Sequence, residues 1–334
     1  MYDNYLQKLA GALALTFKTL TAKQKQLNIN VKVLTKNEYG ELKSVILGKA
    51  AGMEWPHDDE EFNQAIDRST YHETLTVGPP PENVIQEAEQ DLEKLSSIMQ
   101  SKGVIVHRPT TNGTHWAYSA RDILLTVGNK IIQCPTPFSS RANELDLYPF
   151  LEHSDSKVIK APRPKTPQDP IFDAANVLKM DDKLVYSLSH SANQAGADWL
   201  QQQVGTEFEV IKWNAVEYDI THIDSTLISL DKNTLLINAT RVKEDQLPDF
   251  MKDHRKIWVD DVVARDFHHF PYASKWIGMN VLSLSPETLI IDVIQEDLIE
   301  KIRAFGFEII TTEMRQSRTL GGGFHCVTCD LERK

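Results

Sequence analysis

The chain is poor in several things. Its 334 residues include only three cysteines, Cys134, Cys326 and Cys329, too few for a multi-bridge disulfide framework and in keeping with free thiols in a reducing compartment. No apolar run approaches the roughly 18 to 20 residues that a membrane-spanning helix needs. The early stretch "GALALTFKTL" lacks the basic start and small-residue cleavage site of a secretory signal. A cytoplasmic address, away from any membrane, is the expectation. Positive charge is scarce too: 36 Lys and Arg against 47 Asp and Glu leave a net charge of -11. No basic stripe stands out to neutralise phosphates, so nucleic acid is not an expected partner. Cationic or zwitterionic small molecules remain compatible.

What the chain does have is a repeat. Four segments read as β-hairpins, each two apolar, β-branched strands around a short polar turn: "DILLTVGNKIIQC" from Asp122, "NVLKMDDKLVYSL" from Asn176, "TLISLDKNTLLIN" from Thr226 and "NVLSLSPETLIID" from Asn280. Their even spacing, close to fifty residues, is the mark of a repeat architecture. Between hairpins a helical stretch and one further strand recur, as in "SANQAGADWLQQQVG" then "FEVIKW", "EDQLPDFMKDHR" then "KIWVD", and "QEDLIEKIRAFG" then "FEIITT". "ELDLYPFLEH" followed by "KVIKAP" makes a weaker copy. Upstream, Ile85, Ala88, Leu92, Leu95 and Met99 give "ENVIQEAEQDLEKLSSIMQSKG" one apolar face, with Gly103 placed to stop the helix before "VIVHRP". That unit has no hairpin of its own. Its missing strands are expected from the two ends of the chain, "KSVILG" at 43–48 and the segment after Gly323. The fold class is therefore α/β, with five ββαβ units closed into a ring by pairing of terminal strands. Residues 1–37 are set apart as an N-terminal extension and 38–334 as a single domain.

In such a ring, residues in the same phase of each repeat surround one axis. Asp122, Asp173, His222 with Asp224, Ser274 and Cys326 occupy that phase, just ahead of or entering the hairpins. A thiolate is a nucleophile, but an ordinary cysteine is only a few per cent ionised at neutral pH, so His222 is the candidate to activate Cys326, with Asp173 to orient the imidazole. Asp122 and Asp224 would raise the pKa of a neighbouring thiol. A cationic substrate resolves the conflict, and a planar guanidinium suits two carboxylates gripping it from different sides.

Other readings of the same residues are weaker. Cys326 and Cys329 form a CxxC, yet zinc needs two further ligands that Cys134 and the scattered histidines do not supply at suitable spacing. A redox CxxC opens a helix, whereas this one enters a strand. Cys329 is thus a bystander. His325, beside Cys326 in an extended segment, faces the other way and is structural. His268 and His269 read as surface residues, and Arg121 beside Asp122 could form a structural ion pair. No metal or organic cofactor is expected.

The motifs "YSARDIL", "FDAAN", "HIDST", "NATR", "ASKWIGMNVL" and "GGGFHCVTCD" resemble, in order and over most of the chain from about Glu38, the arginine:amine amidinotransferases, typified by glycine amidinotransferase, within the guanidine-modifying superfamily. The resemblance implies a five-bladed αβ-propeller with pseudo-fivefold symmetry, in agreement with the repeats. It implies Cys326 as nucleophile, His222 as general acid and base, Asp173 as its partner, Asp122 and Asp224 on the guanidinium, and Arg241 with Ser274 on the α-carboxylate of L-arginine. The implied reaction is a ping-pong transfer of the amidino group through cysteine to an acceptor amine, with ornithine released. Members that use glycine carry Asn-Pro-Met before His-Ile-Asp; here Asp219, Ile220 and Thr221 stand there, and Ser-Ser-Lys-Trp has become Ala273, Ser274, Lys275 and Trp276. Asp219, Thr221 and Ala273 are accordingly acceptor-pocket candidates, for an amine other than glycine. A homodimer is the assembly allowed for. The rival expectation is a guanidine hydrolase of the arginine deiminase type, in which water replaces the amine.

Overall fold

The computed structural model describes residues 31–56, 77–110, 116–214, 222–269 and 271–334. Its strands form five three-stranded sheets. Four follow the expected hairpins: β3 (Leu124–Val127), β4 (Lys130–Gln133) and β5 (Lys157–Lys160); β6 (Val177–Met180), β7 (Lys183–Ser187) and β8 (Glu209–Trp213); β9 (Leu227–Asp231), β10 (Thr234–Asn238) and β11 (Arg255–Val259); β12 (Leu282–Ser285), β13 (Thr288–Asp292) and β14 (Glu308–Thr312). In each, the first two strands are antiparallel and the third runs parallel to the second. A tight turn suffices for the first pairing, whereas the parallel one needs a crossover.

The fifth sheet comes from both ends of the described chain, as expected. β1 (Leu42–Leu47) lies between β15 (Thr328–Arg333) and β2 (Ile105–His107). It pairs antiparallel with β15, Leu42 opposite Arg333 and Leu47 opposite Thr328, and parallel with β2. The crossovers are helices in three units: α1 (Glu82–Ser101), α2 (Gln194–Val204) and α3 (Glu296–Ala304). Asn193 caps α2, its side chain accepting from Gly196 N at 2.8 Å. A short α4 (Ser317–Leu320) precedes the glycine triplet. On α1 the buried stripe is Val84, Ala88, Asp91, Leu92, Leu95, Ser96 and Met99. Ile85 is only partly buried, and Asp91 is held in the interior by Arg315.

The two remaining crossovers depart from expectation. Residues 144–153 and 244–255 form pairs of short 3-10 turns, Glu144–Leu147 with Pro149–His153 and Glu244–Gln246 with Asp249–Met251. Pro149 and Pro248 are the reason: proline lacks an N–H and pushes the residue before it out of the helical region. Leu247 accordingly sits at φ -70, ψ 142.

Each sheet buries both faces, and its middle strand shows how. Successive residues of a strand point to opposite sides. Ile131 of β4 joins a cluster with Ile46, Cys329 and Leu331 of the preceding sheet, while Ile132 joins one with Leu184 and Tyr186 of the following sheet. Leu184 and Val185 of β7 divide in the same way, as do Leu235 and Leu236 of β10. In β13, Leu289 faces back and Ile290 faces Val45 and Leu47 of β1. Five apolar clusters thus fill the spaces between consecutive sheets, the last joining the fourth hairpin sheet to the terminal one. At roughly 1.5–3 kcal/mol for each fully buried aliphatic side chain, these layers are the main source of rigidity. Val31 and Val33 pack into one of them, and Leu34 N donates to Leu331 O at 2.8 Å. Among the described residues no helix is long and apolar enough to cross a membrane.

Gly48, just after β1, donates to Val327 O at 2.7 Å, and a β-carbon there would fall 1.8 Å from the carbonyl oxygen of Tyr118. Its backbone therefore touches both the segment leading to Asp122 and the one carrying Cys326. Gly48→Ala is expected to cost about 1–3 kcal/mol through overpacking, read as a lower urea midpoint at unchanged slope; wild-type stability would show that the contact yields without strain.

Candidate active site

Three of the expected residues hold the same structural position. Asp173, His222 and Ser274 each stand in extended conformation at the start of a short 3-10 turn, Ala174–Asn176, Ile223–Ser225 and Lys275–Met279, that leads into the first strand of a sheet. The others sit later in the equivalent turns. Asp122 closes a turn begun at Ser119, its N–H bonding Ser119 O at 3.3 Å, and Asp224 is the second residue after His222. Cys326 lies in a turn closed by Val327 N to Gly323 O at 3.0 Å and Thr328 N to His325 O at 3.1 Å.

The side chains converge. His222 Nε2 is 3.0 Å from Asp173 Oδ2, and its Nδ1 is 3.8 Å from Asp122 Oδ1. Cys326 Sγ is 3.2 Å from Asp224 Oδ2. Asp122, Asp173, Asp224 and Cys326 are buried and the His222 side chain is only 19% exposed, whereas Ser274 is exposed. Burial opposes a charge on His222, but Asp122, Asp173 and Asp224 outweigh it and push its pKa up to about 9. Burial, then Asp224 and Asp122, push the Cys326 thiol well above its ordinary range. The unliganded site therefore holds an imidazolium and a thiol. Asp122 Oδ1 and Asp173 Oδ1 are buried with no hydrogen-bond partner, so the site carries acceptor capacity that its own groups leave unmet.

Several supporting residues escaped the sequence reading. Arg141 pairs with Asp122 Oδ2 and makes two bonds of 2.9 Å to Glu144, while its Nη2 reaches Ser119 O at 3.1 Å. Asn280 Oδ1 accepts from the N–H groups of His325 at 2.8 Å and Cys326 at 3.0 Å, and its Nδ2 donates to Asp224 O at 3.1 Å. A signal for Asn280 exists in the sequence, because "NVL" opens two of the four hairpins, and Asn176 plays a like part toward Asp173 N at 3.1 Å. The glycine triplet follows from close packing: a β-carbon on Gly323 would fall 2.7 Å from that of Asn280, one on Gly322 would lie 3.0 Å from Ser119 Oγ, and Gly321 has φ +75.

Arg241 Nη1 donates to Ser225 Oγ at 3.1 Å and Thr226 Oγ1 at 3.0 Å, and its Nη2 to Ser274 Oγ at 3.4 Å. Its guanidinium also lies 5.9 Å from the Trp276 ring centre. Arg241 and Ser274 are thus neighbours, and Ala273 is half-buried beside them, its N–H bonded to Arg318 O. Asp219 and Thr221 lie outside the described residues. Arg121 is buried against Asp330 at 3.0 Å and Glu38 at 3.5 Å. His325 lies buried between Asp224 and Glu38. Cys329 packs in an apolar cluster with its sulfur 3.3 Å from Leu124 O. Among the described residues no three His, Cys, Asp or Glu side chains are grouped to hold a metal ion.

A family model described as N,N dimethylarginine dimethylhydrolase, eukaryotic, matches residues 61–333, so the chain has the fold of that class of enzymes. Inosamine-phosphate amidinotransferase 1 of Streptomyces glaucescens is 33% identical, with 89% of this chain and 95% of that one covered. L-arginine:L-lysine amidinotransferase of Pseudomonas savastanoi pv. phaseolicola is 28% identical over 77% of this chain and 81% of its own. The solved structure of inosamine-phosphate amidinotransferase from Streptomyces griseus aligns with a TM-score of 0.86 at 32% identity, covering 90% of this chain and 97% of that one. Within the wider class, the chain belongs to the amidinotransferases and is a transferase of amidino groups.

The Asp173 contact predicts a change in the titration of His222. With a folded pKa near 9 against an ordinary 6.5, the stabilisation from His222 is complete below pH 6.5 and is lost as pH rises through about 9. Asp173→Asn should lower that pKa, shrink the loss of stability between those limits, and reduce turnover on the order of a hundredfold or more. NMR titration of the ring and urea melts at both ends of the window check this, and an unshifted ring would remove Asp173 from the pair.

Proposed function

We propose that this enzyme takes the amidino group of L-arginine onto Cys326 and passes it to an acceptor amine larger than glycine, releasing ornithine. The observation that carries the reading is the Cys326 thiol, 3.2 Å from Asp224 and within the field of Asp122, whose Oδ1 accepts no hydrogen bond. Only a bound cation makes a thiolate favourable in that setting. A guanidinium between Asp122 and Asp224 supplies it, displacing the thiol proton to solvent, and presents its central carbon to sulfur.

The steps then balance. The thiolate adds to the guanidinium carbon, and the His222 imidazolium protonates the departing amine, so that neutral-amine ornithine leaves an S-amidino cation on Cys326. An acceptor amine adds to that carbon, His222 takes its proton back, and the carbon–sulfur bond breaks to return the thiolate. Asp173 orients the imidazole and stabilises its charged form. Arg241 with Ser274 holds the α-carboxylate of arginine. No cofactor enters any step, and the substrates are small molecules of the cytoplasm. In this reading the five sheets are blades of a five-bladed αβ-propeller with pseudo-fivefold symmetry, closed by β1 and β15, residues 38–334 act as one catalytic domain after a 1–37 extension, and a homodimer is compatible with it.

An acceptor other than glycine is supported by Asp219, Thr221 and Ala273, and by relatives named for inosamine phosphate and lysine. The family-model match to a dimethylarginine hydrolase favours a second reading, in which ammonia instead of ornithine leaves the guanidinium carbon, the ornithine chain stays attached to the carbon on Cys326, and water then displaces the sulfur to release citrulline. The leaving group separates the two, ornithine in the transfer and ammonia in the hydrolysis, and only the transfer needs water kept from its intermediate. With arginine alone, mass spectrometry should find one amidino group on Cys326, absent in Cys326→Ala. With a panel of glycine, lysine, γ-aminobutyrate and other amines, ornithine should dominate; citrulline as the main product with every amine would replace the transferase by the hydrolase.

Arg241→Ala tests the carboxylate clamp. Its loss in kcat/KM should be on the order of tenfold or more with arginine and should shrink with agmatine, which lacks the carboxylate. Equal losses with both donors would place Arg241 elsewhere in the mechanism.

A further inference from the structure

The reaction just described leaves a buried line of charge unused. His325 is 5% exposed, and its ring lies between two carboxylates, with Nδ1 3.0 Å from Asp224 Oδ2 and Nε2 2.9 Å from Glu38 Oε2. Ionised carboxylates only accept hydrogen bonds, so both ring nitrogens must donate and the ring is an imidazolium. Asp224 Oδ2 is also the atom that meets Cys326 Sγ. Beyond Glu38 the line continues: Arg121 reaches Glu38 at 3.5 Å, Asp330 at 3.0 Å and His325 O at 2.8 Å, and Asp330 also meets Arg333 at 2.8 Å and Lys179 at 4.0 Å. Three carboxylates thus face Arg121, Arg333, Lys179 and His325, drawn from the N-terminal segment, the turns before β3 and β9, the loop before β15, and strands β6 and β15; the charge of His222 also acts on Asp224.

We propose that Glu38 and His325 are positioning residues for amidino transfer: His325, held charged by Glu38, keeps Asp224 ionised and its Oδ2 in place, so that Asp224 binds guanidinium without accepting the Cys326 proton. This rests on the proposed role of Asp224 in gripping arginine. The chemical need is specific. A carboxylate in contact with the nucleophile could remove the thiol proton itself, which would neutralise the group that must bind the cation. A second, permanent donor on the same oxygen makes it a poor base. Burial and Arg121 disfavour a charge on His325, whereas Glu38 and Asp224 favour it and prevail. Without Glu38 the balance reverses, the ring loses its proton, and burial raises the Asp224 pKa. Arginine binding then fails from the acid side, because a protonated Asp224 no longer attracts a cation.

Nitrogen-15 NMR of histidine-labelled enzyme, with His325→Gln as the assignment control, should show both His325 nitrogens protonated across about pH 6 to 8.5, where an ordinary imidazole titrates. An ordinary titration of His325 in that range would overturn the proposal, whatever the enzyme's activity. Glu38→Gln should lower kcat/KM for arginine at neutral pH on the order of tenfold or more and add a new acid limb to the pH profile. The same limb should appear when arginine binding is measured calorimetrically on Cys326→Ala carrying Glu38→Gln, compared with Cys326→Ala alone. A uniform loss of stability or activity with an unchanged pH profile would reduce Glu38 to a packing role and sink the inference. Failure of Cys326→Ala itself to bind arginine would instead count against the proposed donor, leaving the NMR result to decide the state of His325.

Discussion

Asp224 Oδ2 receives two hydrogen bonds at once, from Cys326 Sγ and His325 Nδ1, in a place that excludes water. Everything around it answers the cost of that arrangement. An isolated buried charge is prohibitively expensive, and a buried pair survives only when its remaining hydrogen-bond capacity is also met. Asp224 has His325 and is linked through Asn280 to the backbone of the cysteine loop; Asp122 has Arg141, which Glu144 shares; Asp173 has His222. The buried charges are nearly balanced, with two carboxylate oxygens, one on Asp122 and one on Asp173, left without hydrogen bonds.

Such a balance needs rigidity, because each of these groups comes from a different turn. The turns are fixed by the strands they feed, and the strands by clusters that bury both faces of every sheet. Polar side chains find room at strand ends and turns more readily than in these layers. Close backbone approach completes the fixing: Gly322 and Gly323 bring the cysteine loop against Ser119 and Asn280, where any side chain would intrude. Cys326 is therefore located by packing between units far apart in sequence and not by its local sequence alone.

The same division explains what the sequence discloses. Hairpins are legible because alternation and turn chemistry are local, and all four appear where the repeats put them. The even spacing then carries the pairing of β1 with β15 across the length of the chain. The crossovers at 144–153 and 244–255 have a helical composition, but Pro149 and Pro248 break each into short turns. Phase in the repeat located Asp173, His222 and Ser274 at one structural position. Buried ion pairs are the opposite case. Nothing in "SSRANELD" distinguishes Arg141 and Glu144 from a solvated helix pair, and Glu38 meets His325 across 287 residues. Their meaning depends on burial, which periodicity does not give for a charged residue.

Under the proposed reaction, the carboxylates that recognise the substrate are the ones that silence the nucleophile. Burial and two anions keep Cys326 as a thiol while the site is empty, and thiols react slowly with oxidants and electrophiles compared with thiolates. A guanidinium reverses the local charge on binding, so the same step that delivers the electrophile favours ionisation of sulfur. A neutral ligand of similar shape would gain the contacts without the activation, which makes discrimination a matter of reactivity as well as affinity. After the donor amine leaves, the S-amidino group retains the positive charge. Asp122 and Asp224 therefore remain neutralised until the acceptor takes that group away, and the site returns to its resting thiol only when the guanidino product departs.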